Sequence, residues 1–308
     1  MNTTRWYLAA WRLAPYFPLR LVRWATHRVA DVMVAARVPA VAQLQRNMER
    51  LVGGPVSSTQ VRAAVRSHVQ NYGEQFAMAR VIRHRPDTLL VLSRKEELRQ
   101  LVESGPVVIA LTHAGNWDIA GAALSGWGMP VVTVAERLES QALFQAFVDF
   151  REDLGMHIIG AGPGEHVFST LVQQVEGQHV VVPLLADRDI TGTGIEVQLG
   201  SAQALVGAGP AALAKKLNAP LMAAMLYYGP PPHFQVVADL VGPIAAPGAG
   251  NGRSDVENHT QAWVDALLPS WQKHVTDWHM MQRVFVEDLD LQRLARSRAK
   301  HDVMKDAS

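Results

Sequence analysis

Residues 106–126 read PVVIALTHAGNWDIAGAALSG and decide the fold class. The apolar run 107–111 is typical of a buried strand, and Asn116 can cap the next helix, whose first turn contains Asp118. His113 follows the strand directly, so a sharp turn brings it near Asp118 where strand meets helix. This His-x4-Asp pair predicts a general base with a carboxylate partner. The simpler interpretation, a structural histidine bonded to the backbone, remains open because the pattern is short.

Outward from this segment, strand and helix patterns alternate along most of the chain. Predicted strands cover 107–112, 130–135, 156–159, 179–185, 195–198, 219–228 and 234–238. Predicted helices cover 116–126, 140–154, 165–176, 208–217 and 255–276. The GPPP turn at 229–232 predicts a hairpin between the last two strands. We therefore expect an α/β fold, a mixed central sheet flanked by helices on both faces, within one domain spanning residues 1–308.

Composition excludes several kinds of chemistry. The chain has no cysteine, which excludes disulfides, thiolate metal sites and a cysteine nucleophile. Its net charge of +1 gives no general attraction to nucleic acid, and we expect no such partner. The sequence contains no phosphate-binding P-loop, no dinucleotide fingerprint and no serine nucleophile elbow. Its twelve histidines are scattered, so we expect no metal site and no cofactor.

The N-terminal segment has a different character. Residues 1–104 are predicted to be helical, and residues 1–50 contain eight arginines but only two acidic residues. Aromatic residues lie among the early arginines: Trp6, Tyr7, Trp11, Tyr16, Phe17 and Trp24. This mixture predicts a helical segment over 1–50 that lies on an anionic membrane surface, although the aromatics could instead pack as core. No apolar run is long enough to predict a transmembrane helix. The polar tail 293–308 is predicted to be flexible.

Polar residues also follow two further predicted strands. Glu136 comes just after the second strand, and Asp187 and Arg188 follow an apolar strand that ends near residue 186. Because the carboxyl ends of parallel strands meet at one edge of a sheet, these side chains can face His113. Arg151 on the following helix can pair with an acid or bind phosphate. The alternative interpretations are a solvated pair for Glu136, a surface ion pair for Arg151, and a structural salt-bridge network for Asp187 and Arg188.

Several segments together resemble a known family. They are THAGNWD at 112–118, Glu136-Arg137, Arg151, LLADRD at 184–189, GPAALA at 209–214 and DWHMMQRVFVEDL at 277–289. In this order they resemble the bacterial acyltransferases that include the lipid A lauroyl and myristoyl transferases. The ADRD and WHMMQ segments resemble in particular the actinobacterial phosphatidylinositol mannoside acyltransferases.

The resemblance implies an enzyme that moves a long fatty acyl chain to a mannose hydroxyl of a phosphatidylinositol mannoside. The donor it implies is a long-chain acyl-CoA such as palmitoyl-CoA, which is a co-substrate rather than a cofactor. It also implies a peripheral position on the cytoplasmic face of the plasma membrane, at the inner leaflet.

The resemblance also implies residue roles. His113 would remove the proton of the acceptor hydroxyl, and Asp118 would bond the other imidazole nitrogen. Glu136 and Asp187 would hold sugar hydroxyls or support His113. Substrate binding is thus assigned to four residues: Glu136, Arg151, Asp187 and Arg188.

Alternatives stay open at this point. Within the same chemistry, the acceptor could be a lipid A-type molecule or a lysophospholipid. A metal-dependent hydrolase would use His113, Asp118, Asp187 and Asp189 as ligands. A protein without enzymatic activity would bind membranes through its N-terminal segment and keep the His113–Asp118 pair for structure only.

Overall fold

The fold is taken from a computed structural model, which describes most of the chain. The described residues are 13, 16–77, 82, 88–162, 166–190, 192, 194–229, 235–247 and 254–290. The predictions made for residues 1–12 and for the tail 293–308 lie outside these residues.

Helices and strands alternate through much of the chain as the sequence predicts, although the strand at Ala202–Val206 was not predicted. The helices among the described residues are α1 (Leu19–Ala35), α2 (Pro39–Val52), α3 (Ser58–Ala77), α4 (Lys95–Ser104), α5 (Trp117–Gly126), α6 (Gln141–Glu152), α7 (Val167–Val175), α8 (Gly209–Leu217) and α9 (Asp255–Lys273). The strands are β1 (Leu90–Leu92), β2 (Val107–Leu111), β3 (Val131–Glu136), β4 (Met156–Ala161), β5 (Val181–Leu185), β6 (Ile195–Leu199), β7 (Ala202–Val206), β8 (Leu221–Tyr228) and β9 (Val236–Val241).

A seven-stranded sheet forms the centre of the molecule, in the order β1-β9-β8-β2-β5-β3-β4. Strands β8 and β9 pair antiparallel, with Tyr228 opposite Val236, which confirms the predicted hairpin. The other neighbours in this sheet are parallel. Strands β6 and β7 form a separate antiparallel pair. The α/β class with a mixed central sheet is therefore confirmed.

Helices cover both faces of this sheet because its central strands are apolar on both sides. In β2, Val108 and Ala110 belong to the core beneath α2, α8 and α9. Val107 and Ile109 belong to the opposite core beneath α4, α5 and α6. All four are nearly inaccessible to water. Full burial of a valine or isoleucine side chain contributes about 1.5–3 kcal/mol, so β2 is strongly fixed in place.

The helical prediction for residues 1–104 is wrong at Leu90–Leu92. These three residues form strand β1, which pairs in parallel with β9 at the edge of the sheet. Three residues are too few to show a period of two, and the pairing partner lies far along the chain. Elsewhere in this region α1 to α4 are helical as predicted. Within the described residues, no helix is both long and apolar enough to span a bilayer.

Candidate active site

The centre of the site is a histidine–aspartate pair at the ends of two neighbouring parallel strands. Leu111 at the end of β2 pairs with Leu185 at the end of β5, so the residues two positions further on also meet. There, His113 Nδ1 lies 2.5 Å from Asp187 Oδ1. The backbone N–H of His113 also donates to Asp187 Oδ2 at 2.9 Å. These two contacts fix the ring of His113 against the carboxylate.

Asp187 is a buried carboxylate that stays ionised. Burial by itself raises its pKa, but the His113 ring and the hydrogen bonds from His113 and Trp278 outweigh burial, and the pKa lies below its usual value. One of these donors is the indole N–H of Trp278, 2.7 Å from Asp187 Oδ2. An ionised carboxylate at Nδ1 can hold the imidazole in one tautomer and stabilise the imidazolium that forms when His113 accepts a proton.

With Nδ1 engaged by Asp187, Nε2 is the nitrogen of His113 left for a substrate. The side chain is 24% exposed and borders the apolar cavity described below. Among the residues that the structure describes, no hydrogen-bond partner is seen for Nε2. The ring is therefore arranged as a base whose reactive nitrogen is open to the cavity.

The role predicted for Asp118 is corrected by this geometry. Asp118 Oδ1 accepts a hydrogen bond from Arg151 Nε at 2.7 Å, and the Asp118 side chain is almost fully buried. The position at the Nδ1 atom of His113 belongs to Asp187 instead. Asp118 and His113 border the same cavity, but α5 directs the Asp118 carboxylate toward Arg151 at the end of α6. Asp118 therefore joins α5 to α6.

The turn between His113 and α5 has the predicted form. Asn116 caps the helix, and its Oδ1 accepts the backbone N–H of Ile119 at 3.1 Å. Gly115 has a φ of +56°, and a Cβ there would lie 2.7 Å from the backbone of Leu226. A glycine is therefore required for α5 to begin so close to the sheet.

Glu136 and Arg188, both predicted to bind substrate, lie together at the cavity. Arg188 Nη2 is 3.7 Å from Glu136 Oε2, and the Glu136 side chain is 62% exposed. The Nε atom of Arg188 is buried and has no hydrogen-bond partner among the described residues. A buried guanidinium N–H without a partner is costly, so Arg188 is well placed to bind an oxygen of a ligand.

Sequence reasoning missed the bracing role of residues 277–279, although it quoted this segment for its resemblance. The backbone N–H of His279 donates to the carbonyl of His113 at 2.7 Å, and Gly115 N–H donates to the carbonyl of Asp277. Trp278 holds Asp187 at the same time. Burial lowers the pKa of His279 well below its usual value, with His68 and His113 adding to the effect. The signal was a tryptophan between two polar residues in a mostly apolar stretch.

An apolar cavity of about 530 Å³ extends from His113 between the sheet and α5. Its walls come from the seven strands of the central sheet and from helices α3 to α6. Representative lining residues are Leu90, Ile109, Leu124, Val131, Ala224 and Leu240. The volume falls within the range of about 300–1,000 Å³ that is usual for small-molecule sites. The polar groups at its mouth and the apolar interior suit a ligand with a polar head and a long hydrocarbon chain.

The four residues considered for a hydrolase metal do not form a metal site here. Asp118 pairs with Arg151, and Asp187 is occupied by His113 and Trp278. Within the part of the chain that the structure describes, no group of three or more histidine, aspartate or glutamate side chains could hold a metal ion.

Comparison with known proteins gives matches along almost the whole chain. The family model for bacterial lipid A biosynthesis acyltransferases matches residues 2–287. A Mycolicibacterium smegmatis protein named phosphatidylinositol mannoside acyltransferase is 32% identical over 295 residues, covering 94% of this chain and 93% of the relative. A Mycobacterium tuberculosis protein of the same name is 31% identical over 308 residues, covering 97% and 94% respectively. The similarity is therefore not confined to the motif around His113.

Proposed function

The chain belongs to the bacterial lipid A biosynthesis acyltransferase family, and from this premise we propose that it acylates a mannose hydroxyl of a phosphatidylinositol mannoside, using a long-chain acyl-CoA. As a member of this family it is an enzyme that transfers acyl groups. The names of the two relatives support the proposed acceptor. The observation that carries the mechanism is the His113–Asp187 pair at the mouth of an apolar cavity.

In the proposed reaction, His113 Nε2 takes the proton of the mannose hydroxyl as its oxygen attacks the thioester carbonyl carbon. Asp187 stabilises the imidazolium that forms. When the tetrahedral intermediate collapses, the C–S bond breaks and the imidazolium returns its proton to the departing CoA sulfur. Direct transfer leaves no acyl group on the enzyme and needs no cofactor, because acyl-CoA is a co-substrate.

Three groups are available for the charge and hydroxyls of the substrates. The first turn of α5 begins beside His113, and a helix N-terminus favours the negative charge that develops on the thioester oxygen. Arg188 offers its unpartnered Nε–H, and Glu136 offers an exposed carboxylate that can accept a sugar hydroxyl. Arg151 supports the site indirectly, by holding Asp118.

We place the acyl chain in the cavity that extends from His113. Each methylene that leaves water there contributes about 0.8 kcal/mol, so a palmitoyl chain gains far more than a short acyl group. The polar CoA head remains outside, near the mouth.

We also propose that the enzyme binds the cytoplasmic face of the plasma membrane peripherally, at its inner leaflet. The support is the surface before and along α1, where Tyr16, Phe17 and Trp24 are more than half exposed. Arg20 and Arg28 are exposed on the same segment. Exposed aromatics beside arginines favour the interface of an anionic membrane.

The decisive experiment measures release of free CoA thiol and formation of acylated lipid from palmitoyl-CoA and a mannosylated phosphoinositide. His113→Ala is expected to lower turnover by about 10²–10⁴-fold, the usual value of a general base. His157→Ala is the matched control, because His157 is an exposed histidine on β4 that contacts Gln174. A His113→Ala variant that keeps more than about a tenth of the wild-type rate would refute this role.

The same assay separates the acceptors that the sequence left open. A lipid A precursor and a lysophospholipid replace the mannosylated phosphoinositide at equal concentration. The proposal requires the highest kcat/KM with the mannosylated acceptor, and a higher value with either of the others would reassign the substrate.

A further inference from the structure

A second cavity, of about 640 Å³, opens beside the catalytic one. Met281 and Gln282 border both cavities, so the two are neighbours across a single segment of chain. The remaining walls come from the first half of α2, the loop after β5, Leu205 of β7 and residues between 283 and 290. None of the residues assigned to the reaction borders this second cavity.

The walls of this cavity are held in place by hydrogen bonds from α2. Asn47 Nδ2 donates to the backbone carbonyls of Met280 and Gln282, each at 2.8 Å. Gln43 Nε2 donates to Asp288 Oδ2 at 2.7 Å. Gln43 and Asn47 are both buried. Helix α2 and the segment after His279 therefore form the cavity together, and these hydrogen bonds hold its walls in place.

Two arginines face this cavity. Arg46 Nη2 donates to Gln43 Oε1 at 2.6 Å, which orients its guanidinium, and the positive charge of Arg46 also helps to lower the pKa of Asp288. Arg283 is exposed, and within the described residues it makes no hydrogen bond or ion pair. Guanidinium groups bind phosphate through paired hydrogen bonds, so two of them in one cavity indicate an anionic, phosphorylated ligand.

Carboxylates and an amide also border the cavity, namely Asp189, Asp290 and Gln282. Carboxylates repel a bare phosphate but accept hydrogen bonds from hydroxyl groups. The lining therefore matches a ligand that carries a phosphate and several hydroxyls in one molecule. We propose that this second cavity is a binding site for a phosphorylated polyol, with Arg46 and Arg283 as its phosphate ligands.

This inference rests on the proposed function, because that reaction has two substrates with such a group. One is the inositol phosphate of the acceptor lipid, and the other is the ribose phosphate of CoA. Either would reach the second cavity while its reacting end lies at His113, since the two cavities adjoin at Met281 and Gln282.

Direct binding tests the site without relying on turnover. The full-length protein is titrated by calorimetry with glycerophosphoinositol, the soluble head group of the acceptor lipid, and separately with adenosine 3′,5′-bisphosphate, the matching part of CoA. Arg46→Gln and Arg283→Gln are each expected to raise the Kd of the bound probe about tenfold or more. Arg99→Gln on α4 is the matched control, because Arg99 pairs with Glu96 on the same helix and borders neither cavity.

The two probes identify the source of the phosphate. If the arginine variants bind only glycerophosphoinositol more weakly than the wild type does, the site belongs to the acceptor. If they bind only the bisphosphate more weakly, the site belongs to the donor. The inference is overturned when neither probe binds the wild-type protein, or when both arginine variants bind as tightly as Arg99→Gln. Such a result leaves the role of His113 untouched, because that role is measured by acyl transfer.

Discussion

The carboxylate at the ring of His113 decides how well this histidine can act as a base. Asp187 occupies that position, with Oδ1 2.5 Å from Nδ1. We predict that Asp187→Asn lowers kcat for acyl transfer by about 10²–10⁴-fold, because a neutral amide does not stabilise an imidazolium. KM for palmitoyl-CoA should change little, since Asp187 is buried behind the ring. Steady-state kinetics with both substrates varied check this prediction.

Asp118→Asn is the matched comparison for the same assay. The asparagine can still accept the hydrogen bond from Arg151, but it no longer neutralises that half-buried guanidinium. We expect the main effect to be a loss of stability of about 1–3 kcal/mol, with a smaller loss of kcat than in Asp187→Asn. A larger loss of kcat in Asp118→Asn than in Asp187→Asn would show that Asp118, and not Asp187, supports the ring of His113.

Trp278 acts on the reaction only through Asp187 and is therefore a positioning residue. We predict that Trp278→Phe lowers kcat about tenfold and leaves KM for palmitoyl-CoA unchanged. Loss of the indole donor should also raise the pKa of Asp187, because a hydrogen bond that favours the ionised form disappears. The acid side of the pH–rate profile should consequently move to higher pH, which a purely structural role would not produce.

Trp271→Phe is the control for this variant. Trp271 is also fully buried and touches Trp278 edge-on, with ring centroids 5.2 Å apart. Its indole nitrogen has no hydrogen-bond partner among the described residues. The Trp271→Phe variant should therefore lose packing energy without a shift of the pH–rate profile. An equal shift in both variants would contradict the positioning role of Trp278.

Helix α1 is attached to α3 by charged side chains and leaves apolar groups exposed. Arg23 is paired with the buried Glu74 of α3, and Asp31 with Arg62 and Arg66. Trp24, on this helix, is 58% exposed. These ion pairs fix α1 against α3 and leave the Trp24 side of the helix exposed.

We predict that Trp24→Ser lowers the affinity for anionic lipid vesicles roughly tenfold, because an interfacial indole is lost. Binding of the wild-type protein should also weaken as salt rises, since exposed arginines attract the head groups. Vesicle co-sedimentation measures both effects, and Phe168→Ser on α7 is the control, because Phe168 is an exposed aromatic outside this surface. Affinity that is unchanged in Trp24→Ser would argue against this use of α1.

The cavity beneath α5 depends on small side chains on that helix. Ala120 borders the cavity and is half-buried. We predict that Ala120→Leu moves the preferred donor to acyl chains shorter by about three methylenes, because three added carbon atoms displace a similar length of hydrocarbon. A series of acyl-CoA donors with one acceptor measures the optimum.

Ala212→Leu on α8 is the control for the chain-length experiment. Ala212 is also half-buried, and it does not border the cavity. It should leave the optimum chain length unchanged. If the wild type, Ala120→Leu and Ala212→Leu all prefer the same acyl chain length, the acyl chain does not lie in this cavity.

Much of the fold could be predicted because the central strands are buried on both faces. Continuous apolar runs such as 107–111 stand out without any knowledge of their neighbours. The hairpin of β8 and β9 could be predicted from its proline-rich turn. Strand β1 could not, since its three residues become a strand only by pairing with β9, about 145 residues later.

Prediction of the site from the sequence is limited in the same way, because contacts between distant residues decide it. Spacing along the chain predicts that Asp118 lies close to His113, because the two are separated by one turn. The direction of a side chain depends on what packs around it, and here Asp118 is bonded to Arg151 of α6. Asp187 is 74 residues from His113, and only the register of β2 with β5 brings the two together. Sequence position alone does not contain that register.

Asp277 links the site to the stability of the whole protein. Burial raises the pKa of Asp277 to about 6, although hydrogen bonds from the Ser67 hydroxyl and the Tyr228 backbone act in the opposite direction. In the unfolded chain the carboxyl titrates near its model-peptide value of about 3.9. Between these two values the folded state holds more protons than the unfolded state, so stability falls as pH rises through this window. Above pH 6 the full cost of ionised Asp277 is present, and it amounts to at most about 3 kcal/mol.

We predict that Asp277→Asn is more stable than the wild type at pH 7.5, because asparagine keeps the hydrogen-bond acceptor and has no charge to bury. The advantage should shrink as pH falls and vanish near pH 4, where the aspartate is protonated in the folded state. Denaturant unfolding at several pH values measures this difference. Asp255→Asn is the control: Lys215 lowers the pKa of this exposed carboxyl, so its removal should cost stability at neutral pH. An Asp277→Asn variant whose stability relative to wild type does not change between pH 4 and 7.5 would show that Asp277 ionises in the folded protein at no cost.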